Sequence, residues 1–246
     1  MLHNIRQTYL YYFMLTTVPA ALLLIWLSIN YTWSIVTTIS FIISYLAVYV
    51  FGINIYFHRY WSHRHFKSNP IVCRIFSIAG MLTMLGTPSF YALVHKYHHA
   101  YSDTDKDLHS PVHGRWHAII GWMFNAHKLN LSPMMIKELF KDEYKWVFQL
   151  EKIKIAVVWI IPGIVTLISP HAGLGLLCAM FLSFFLDLWL NAFMHDPKTK
   201  QPLNAYKIFG WLTAGSLFHK MHHETPNRTE KADPAYYLVK MLNVKP

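Results

Sequence analysis

Two long runs without a charge, separated by only three residues, constrain this chain more than any other feature. Residues 9–29 (YLYYFMLTTVPAALLLIWLSI) and 33–57 (WSIVTTISFIISYLAVYVFGINIYF) flank Asn30, Tyr31 and Thr32. A helix needs about 20 apolar residues to cross a hydrocarbon core, so the two runs predict a helical hairpin in a bilayer. A second hairpin is predicted over residues 153–170 and 173–195. Its first arm is the shorter, with 155–169 uncharged and the stems of Lys152 and Lys154 extending it. The composition agrees: 54% of residues are apolar and 14% charged, against roughly 25% charged in soluble domains. The expected fold class is an all-α integral membrane protein, with four transmembrane helices in two hairpins beneath a cytoplasmic helical cap. Residues 1–246 are read as a single domain.

The charges assign the sides. None of the 22 Lys and Arg residues falls within 9–57 or 155–195, and neither hairpin tip carries one. The positive-inside rule then places both termini, residues 58–152 and residues 196–246 in the cytoplasm. This holds for a bacterial inner membrane or the endoplasmic reticulum. The net charge of +10 follows from that segregation and from anionic headgroups, so nucleic acid is not an expected partner. The N-terminal run, with one basic residue before it and no small-residue cleavage site after it, reads as a retained helix. Residues 71–88 are apolar enough to cross but are expected to lie at the interface. A crossing there would put His58 and His63 about 30 Å from His95, His98 and His99. Residues 134–154 mix charged and apolar residues at helical spacing, which predicts an amphipathic helix.

Histidine carries the chemistry. Nine of the sixteen histidines fall in four groupings: His58 and His63; His95, His98 and His99; His195, with Asn191 four residues before it; and His219, His222 and His223. In HxxHH, positions i, i+3 and i+4 share a helix face, so each triplet is expected to converge, and Asn191 is expected to share a face with His195. His58 and His63 are five apart, about 140° around an α-helix, which predicts a bend between them. Nine neutral imidazoles are too many for one ion and suit two. A structural zinc site closes with four ligands and usually recruits thiolates. The two cysteines, Cys73 and Cys178, lie apart in apolar stretches and form no CxxC. Soluble di-iron bundles use Glu with Glu-x-x-His, which is absent. A pair of irons held by histidine fits best.

At these residues the chain resembles the membrane fatty acyl desaturases, in particular the stearoyl-CoA desaturase type. HRYWSHRHF at 58–66 is similar to that family's first histidine box, and HKYHHAYSDTDKDLHS at 95–110 to the second. Gly121-Trp122 after His117, Asn191 with His195, and HKMHH at 219–223 match further features. The resemblance spans roughly residues 40–225. It implies four membrane helices under a cytoplasmic cap. It also implies two irons held by His58, His63, His95, His98, His99, His195, His219, His222 and His223, with Asn191 reaching one metal through water. The expected activity is O2-dependent introduction of a double bond into a long acyl chain carried on CoA, carrier protein or a lipid ester. No dinucleotide, haem or iron–sulfur motif is present, and no cytochrome b5-like extension. Electrons are therefore expected from ferredoxin or cytochrome b5 with its reductase.

Two departures stand out. The segment before the last box reads Ala214-Gly-Ser-Leu-Phe218, where the family often has Gly-Glu. Tyr91 stands where a Trp is common. Asp187 lies inside the fourth span, and an acid there marks a candidate functional site: an acceptor for a ligand histidine, or a contact to substrate. His109, His113, His117, Arg115 and Lys106 form either a headgroup site or a polar cap. Asp103, Asp105 and Asp107 resemble a calcium loop, but its Gly and terminal Glu are missing. The rival activities are a related hydroxylase or acetylenase and, more distantly, a zinc-dependent membrane hydrolase, for which HExxH is lacking. A metal transporter would carry several ionisable residues in its spans, and only Asp187 qualifies.

Overall fold

The computed structural model describes residues 5–102, 104–125, 131–196, 198–199, 201–226 and 231–244, without the side chains of 5–10 and 125. Among these, helices dominate. α1 (Ile5–Asn30) is followed after a four-residue connection by α2 (Ile35–Tyr45), and both pack against α7 (Pro170–Phe193). A capping box at Ser34 starts α2: its hydroxyl accepts from the Thr37 N–H (3.2 Å) while its own N–H donates to the Thr37 hydroxyl (3.3 Å). These bonds satisfy donors that the first helical turn leaves open. The second hairpin pairs α6 (Leu150–Ile168) with α7 (Pro170–Phe193). Ser169, extended at φ −152°, ψ 111°, ends one helix and caps the other, with Pro170 in the first turn of α7. Proline is tolerated there because its missing N–H has no intrahelical partner anyway.

Among the described residues, three helices are long and apolar enough to cross a membrane: Tyr11–Asn30, Ile35–Ser62 and Pro170–Phe193. α6 stands where the third span was expected, but its 19 residues open with Glu151, Lys152 and Lys154 in the first turns. α2 and α7 press together at Gly175, where a Cβ would sit 2.4 Å from the Thr37 carbonyl oxygen. Nearby, Ser40 Oγ donates to the Ala172 carbonyl at 2.7 Å. Small residues permit this approach, as is usual where helices pack in lipid.

α2 does not stop at Tyr45. It continues through Leu46–Ser62 as a π-helix, with bonds from each N–H to the carbonyl five residues back. Ile35, Val36, Ile39, Ile42, Ile43 and Leu46 are exposed, whereas Val48, Tyr49, Val50 and every residue from Gly52 to Ser62 are buried. Among the described residues the cap comprises α3 (Pro70–Met81), α4 (Pro88–Tyr101), a 3₁₀ turn (Pro111–His113), a π-turn (His117–Gly121), the short α5 (Trp122–Asn125), two longer 3₁₀ helices (Pro133–Phe140 and Asp142–Gln149), the strand pair β1 (His195–Asp196) and β2 (Gln201–Pro202), α8 (Lys207–Leu212), α9 (His219–Glu224) and α10 (Pro234–Leu242). α3 is 12 residues long, or about 18 Å, too short to cross. The amphipathic helix expected over 134–154 is not one helix. Lys141 is extended at φ −62°, ψ 147° and breaks it into the two 3₁₀ helices, and α-helix begins only at Leu150.

Candidate metal centre

The π-helix brings the first two histidines together. The expected bend between His58 and His63 is absent: the His63 N–H donates to the His58 carbonyl at 3.2 Å. That places residues five apart one above the other, with their rings 5.2 Å apart. Side chains follow the same widened spacing. Ser62 Oγ donates to the Phe57 carbonyl at 2.8 Å, and Asn54 Nδ2 to the Tyr49 carbonyl at 3.4 Å.

The nine imidazoles gather into two groups. His58, His63, His95, His99 and His222 form one, and His98, His195, His219 and His223 the other. Within each, the potential ligand nitrogens all lie within 4.8 Å of one another. Each HxxHH is therefore split. On α4, His95 and His99 serve the first group and His98 the second; on α9, His219 and His223 serve the second group and His222 the first. Helix geometry gives the reason. Positions i and i+4 are about 40° apart, while i+3 lies about 60° to the other side of i. The triplet thus fans across two neighbouring centres, and two such helices facing each other fix the centres side by side. His195 arrives differently from the expectation of a shared α7 face. α7 ends at Phe193, and His195 is the first residue of β1. Asn191 stays on α7 and lines a cavity beside His98 and His219.

The nitrogen spacing fits a first-row metal. In the first group, Nε2 atoms lie 2.8 Å (His58–His222), 3.0 Å (His99–His222), 3.0 Å (His95–His99) and 2.9 Å (His63–His95) apart. In the second, His195–His219 is 2.7 Å and His219–His223 3.0 Å. Nitrogens about 2.1 Å from one ion and at right angles lie about 3.0 Å apart, and opposed ones about 4.2 Å. The right-angle spacing matches the distances above, and the opposed spacing is smaller than the 4.8 Å within which each group's nitrogens lie. The rings are also in the state that metal binding requires. Burial, then neighbouring His99 and Arg59, holds His63 at about 2; burial and His195 hold His99 at about 4. Burial first, then the other histidines, pushes His95, His219, His222 and His223 far below the ordinary range. All are neutral at pH 7, with a lone pair to give.

Asp107, rather than the Asp187 expected from sequence, is the carboxylate found against one of these histidines. Both Asp107 oxygens lie 3.0 Å from His98 Nδ1, in a pair with 2% and 0% side-chain exposure. With Nδ1–H donating to that carboxylate, Nε2 keeps the metal-binding lone pair. In sequence, Asp107 belongs to the 95–110 segment that resembles the second box and to a rejected calcium-loop pattern, whose Asp103 lies outside the described residues. The available signal was its position nine residues after His98. Asp187 Oδ1 instead accepts from the Tyr91 hydroxyl at 3.1 Å, and the Tyr91 ring stacks on His95 (5.8 Å, 15°). His109 turns inward, its ring 4.5 Å from His98, so it belongs to neither a headgroup site nor a solvated cap. His113, Arg115 and Lys106 are exposed.

A further contact was not legible in sequence. Arg59, between the first two histidines, forms a buried ion pair with Asp233 (2.9 Å; 3% and 2% exposed). Asp233 Oδ1 also caps α10 by accepting from the Ala235 N–H at 2.8 Å. Gly215 makes room for that carboxylate. Its φ is +87°, and a Cβ there would sit 1.9 Å from Asp233 Oδ1. Both constraints require glycine.

A cavity of ≈ 60 Å³ opens beside both groups. His58, His95, His98 and His219 form one wall. Leu85, Phe90, Val94, Leu188 and Leu190 form much of the rest, with Tyr91, Asp187 and Asn191 as polar points.

The sequence profile of the fatty acid desaturases matches residues 31–241. The chain belongs to that family. Among desaturase-family relatives, the acyl-CoA C20 Delta5-desaturase of Anemone leveillei is 26% identical over 78% of this chain and 66% of its own length. The hex-5-enoyl-[acyl-carrier protein] acetylenase of Moorena producens is 30% identical over 86% of this chain and 72% of its own length. A probable acyl-CoA desaturase of Schizosaccharomyces pombe is 36% identical over 77% of this chain and 42% of its own length. The chain thus spans from under half to about seven tenths of these relatives. The histidine groups are what this desaturase-family member offers a metal.

Proposed function

We propose that the chain is an O2-dependent acyl desaturase that holds two iron ions. His58, His63, His95, His99 and His222 would hold one ion. His98, His195, His219 and His223 would hold the other, with Asn191 contributing through water. The observation that carries this reading is the pair of all-imidazole groups, shared across α4 and α9, opening on a cavity with an apolar wall. We place α6 across the membrane as a fourth span, with the cap and both termini cytoplasmic and the whole chain one domain. Lys154 can reach the interface on its stem.

The overall reaction is R–CH2–CH2–R′ + O2 + 2 e⁻ + 2 H⁺ → R–CH=CH–R′ + 2 H2O. Bound iron supplies the oxygen activation needed to break unactivated C–H bonds. The chain's own residues do the rest. The imidazoles would hold two ions side by side, because each HxxHH contributes to both groups. Asp107 holds the His98 ring in orientation. Phe90, Val94 and Leu188 line the space for two methylenes beside the imidazole wall and keep water from it. Electrons come from an external carrier, ferredoxin or cytochrome b5, which tends to be acidic and suits the basic cytoplasmic face. The acyl group rides on CoA, carrier protein or a lipid ester; the relatives' names include the first two.

Acetylene formation is the second reading, favoured by the Moorena relative, which matches 86% of this chain. Mass spectrometry of acyl chains from cells expressing the protein, with double bonds located, tests both. A new alkene supports desaturation, an alkyne supports the second reading, and an alcohol means hydroxylation. Zinc as the native active ion, with no oxidised acyl product, would overturn the assignment in favour of a hydrolase.

A further inference from the structure

The approach to the last histidine box carries a cluster of exposed apolar residues. Residues 208–218 (IFGWLTAGSLF) carry no charge, although sequence reading puts 196–246 in the cytoplasm. On α8, Ile208, Phe209, Trp211 and Leu212 are 51–63% exposed, and Tyr206 before it 83%. Trp211 lies 6.4 Å from the ring of Tyr237, so α10 adds the exposed Tyr237 and Met241 to the same face. Lys207 and Lys240 are exposed on the same two helices. A cluster of large exposed apolar residues of this kind marks an interaction site.

The height of α8 shows what covers it. The Leu212 carbonyl accepts from Tyr45 Oη at 2.9 Å, the Thr213 carbonyl from Asn54 Nδ2 at 3.1 Å, and Tyr49 Oη lies 3.0 Å from Ser216 Oγ. These partners bracket the stretch of the long apolar helix where lipid-facing exposure ends, between Leu46 and Val48. At 1.5 Å per residue, Tyr45 to Asn54 lie about 15–28 Å along that helix from Ile35, within a hydrocarbon core of about 30 Å, so α8 sits beside the cytoplasmic-side part of the span and next to its exposed face. The backbone after α8 is satisfied without water. Thr213, Ala214 and Ser216 are buried, and their N–H groups donate to Phe209, Trp211 and Thr213. This closure is required of non-helical backbone near hydrocarbon. Trp and Tyr beside lysine, over an apolar face, is also the composition of an interfacial helix.

We infer that α8, with the adjoining edge of α10, is a lipid-binding surface seated in the cytoplasmic-side bilayer interface, which holds His219 in place through the buried turn that follows it. This rests on reading the long apolar helices as membrane spans. The test uses the full chain in phosphatidylcholine vesicles on a Cys73→Ser, Cys178→Ser background that retains metal. Ile208→Cys and Phe209→Cys should react with a charged, water-soluble maleimide at least about tenfold more slowly than Lys145→Cys and remain shielded when the vesicles are diluted with excess lipid. Leu22→Cys on α1 reports the spans themselves. Full reaction at 208 and 209 with Leu22→Cys shielded overturns the α8 inference alone, and reaction at all three overturns the membrane reading as well. Shielding lost on lipid dilution shows that a second copy covers the face, which also overturns it. Should the cysteine variants not fold, lipids brominated near the headgroup must quench an emission component that Trp211→Phe removes; no such component refutes the inference.

Discussion

Replacing Asp107 by Asn separates the two halves of the centre. The side chain keeps its shape but loses its charge: one of the two oxygens facing His98 Nδ1–H becomes an NH2 donor, which leaves a single neutral acceptor in place of a carboxylate. The contact is buried, and both carboxylate oxygens lie 3.0 Å from Nδ1. Removing such an outer partner of a ligand histidine weakens metal binding by about 10–100-fold, or about 1.4–2.8 kcal/mol. Asp107 is hydrogen-bonded to His98 of the second group, and its effect on His99 of the first is a longer-range charge effect. The expected loss is therefore largest at one of two irons. The assay is iron per chain after dialysis against graded chelator. Asp107→Asn should release its first iron at about 10–100-fold lower chelator activity than the unaltered protein, while the other is retained. Asp105→Asn, at an exposed neighbour, should behave as the unaltered protein. An unchanged curve for Asp107→Asn, or both irons lost in a single step, would refute the idea that this carboxylate orients a ligand of one centre.

Three further outcomes are expected. His222→Ala should abolish desaturation and lower iron content while membrane insertion is unchanged, so an active variant with two irons counts against the assignment. Asp233→Ala leaves Arg59 buried without its counter-charge and should lower stability by about 3–5 kcal/mol in detergent unfolding; Gly215→Ala should act in the same direction by displacing that carboxylate, and wild-type stability in both would show the pair to be dispensable. The metal-free protein should lose stability on acidification. His99 is held at about 4 against roughly 6.5 in an unfolded chain, so the folded form binds fewer protons. The contribution is full above pH 6.5 and falls away as the pH drops from there towards 4. Unfolding curves that do not shift between pH 7 and 5 would contradict this.

Histidine spacing, charge segregation and uncharged runs are local properties, and they were enough to name the nine histidines, the hairpins and the family. The HxxHH motif placed three imidazoles on one side of a helix. It did not say that i+3 would turn to a different centre from i and i+4, because that depends on what faces the helix. His99 meets His222 across 123 residues and His58 meets His222 across 164, and no spacing rule within a helix reaches so far. The π-helical register at His58 was likewise not legible. An apolar run gives the same pattern whether its bonds reach back four residues or five, and only the demand that His58 and His63 meet selects the wider one. Asp107, Arg59 with Asp233, and the seat of α8 belong to the same class. Each is an ordinary polar or apolar residue in sequence, and each takes its role from a partner that chain folding brings to it. The sequence by itself determined which atoms are available to bind metal and on which side of the bilayer they are expected. Only the tertiary structure decided how they divide between two centres and what holds each ring in orientation, because those are contacts between segments whose separation along the chain carries no geometric information.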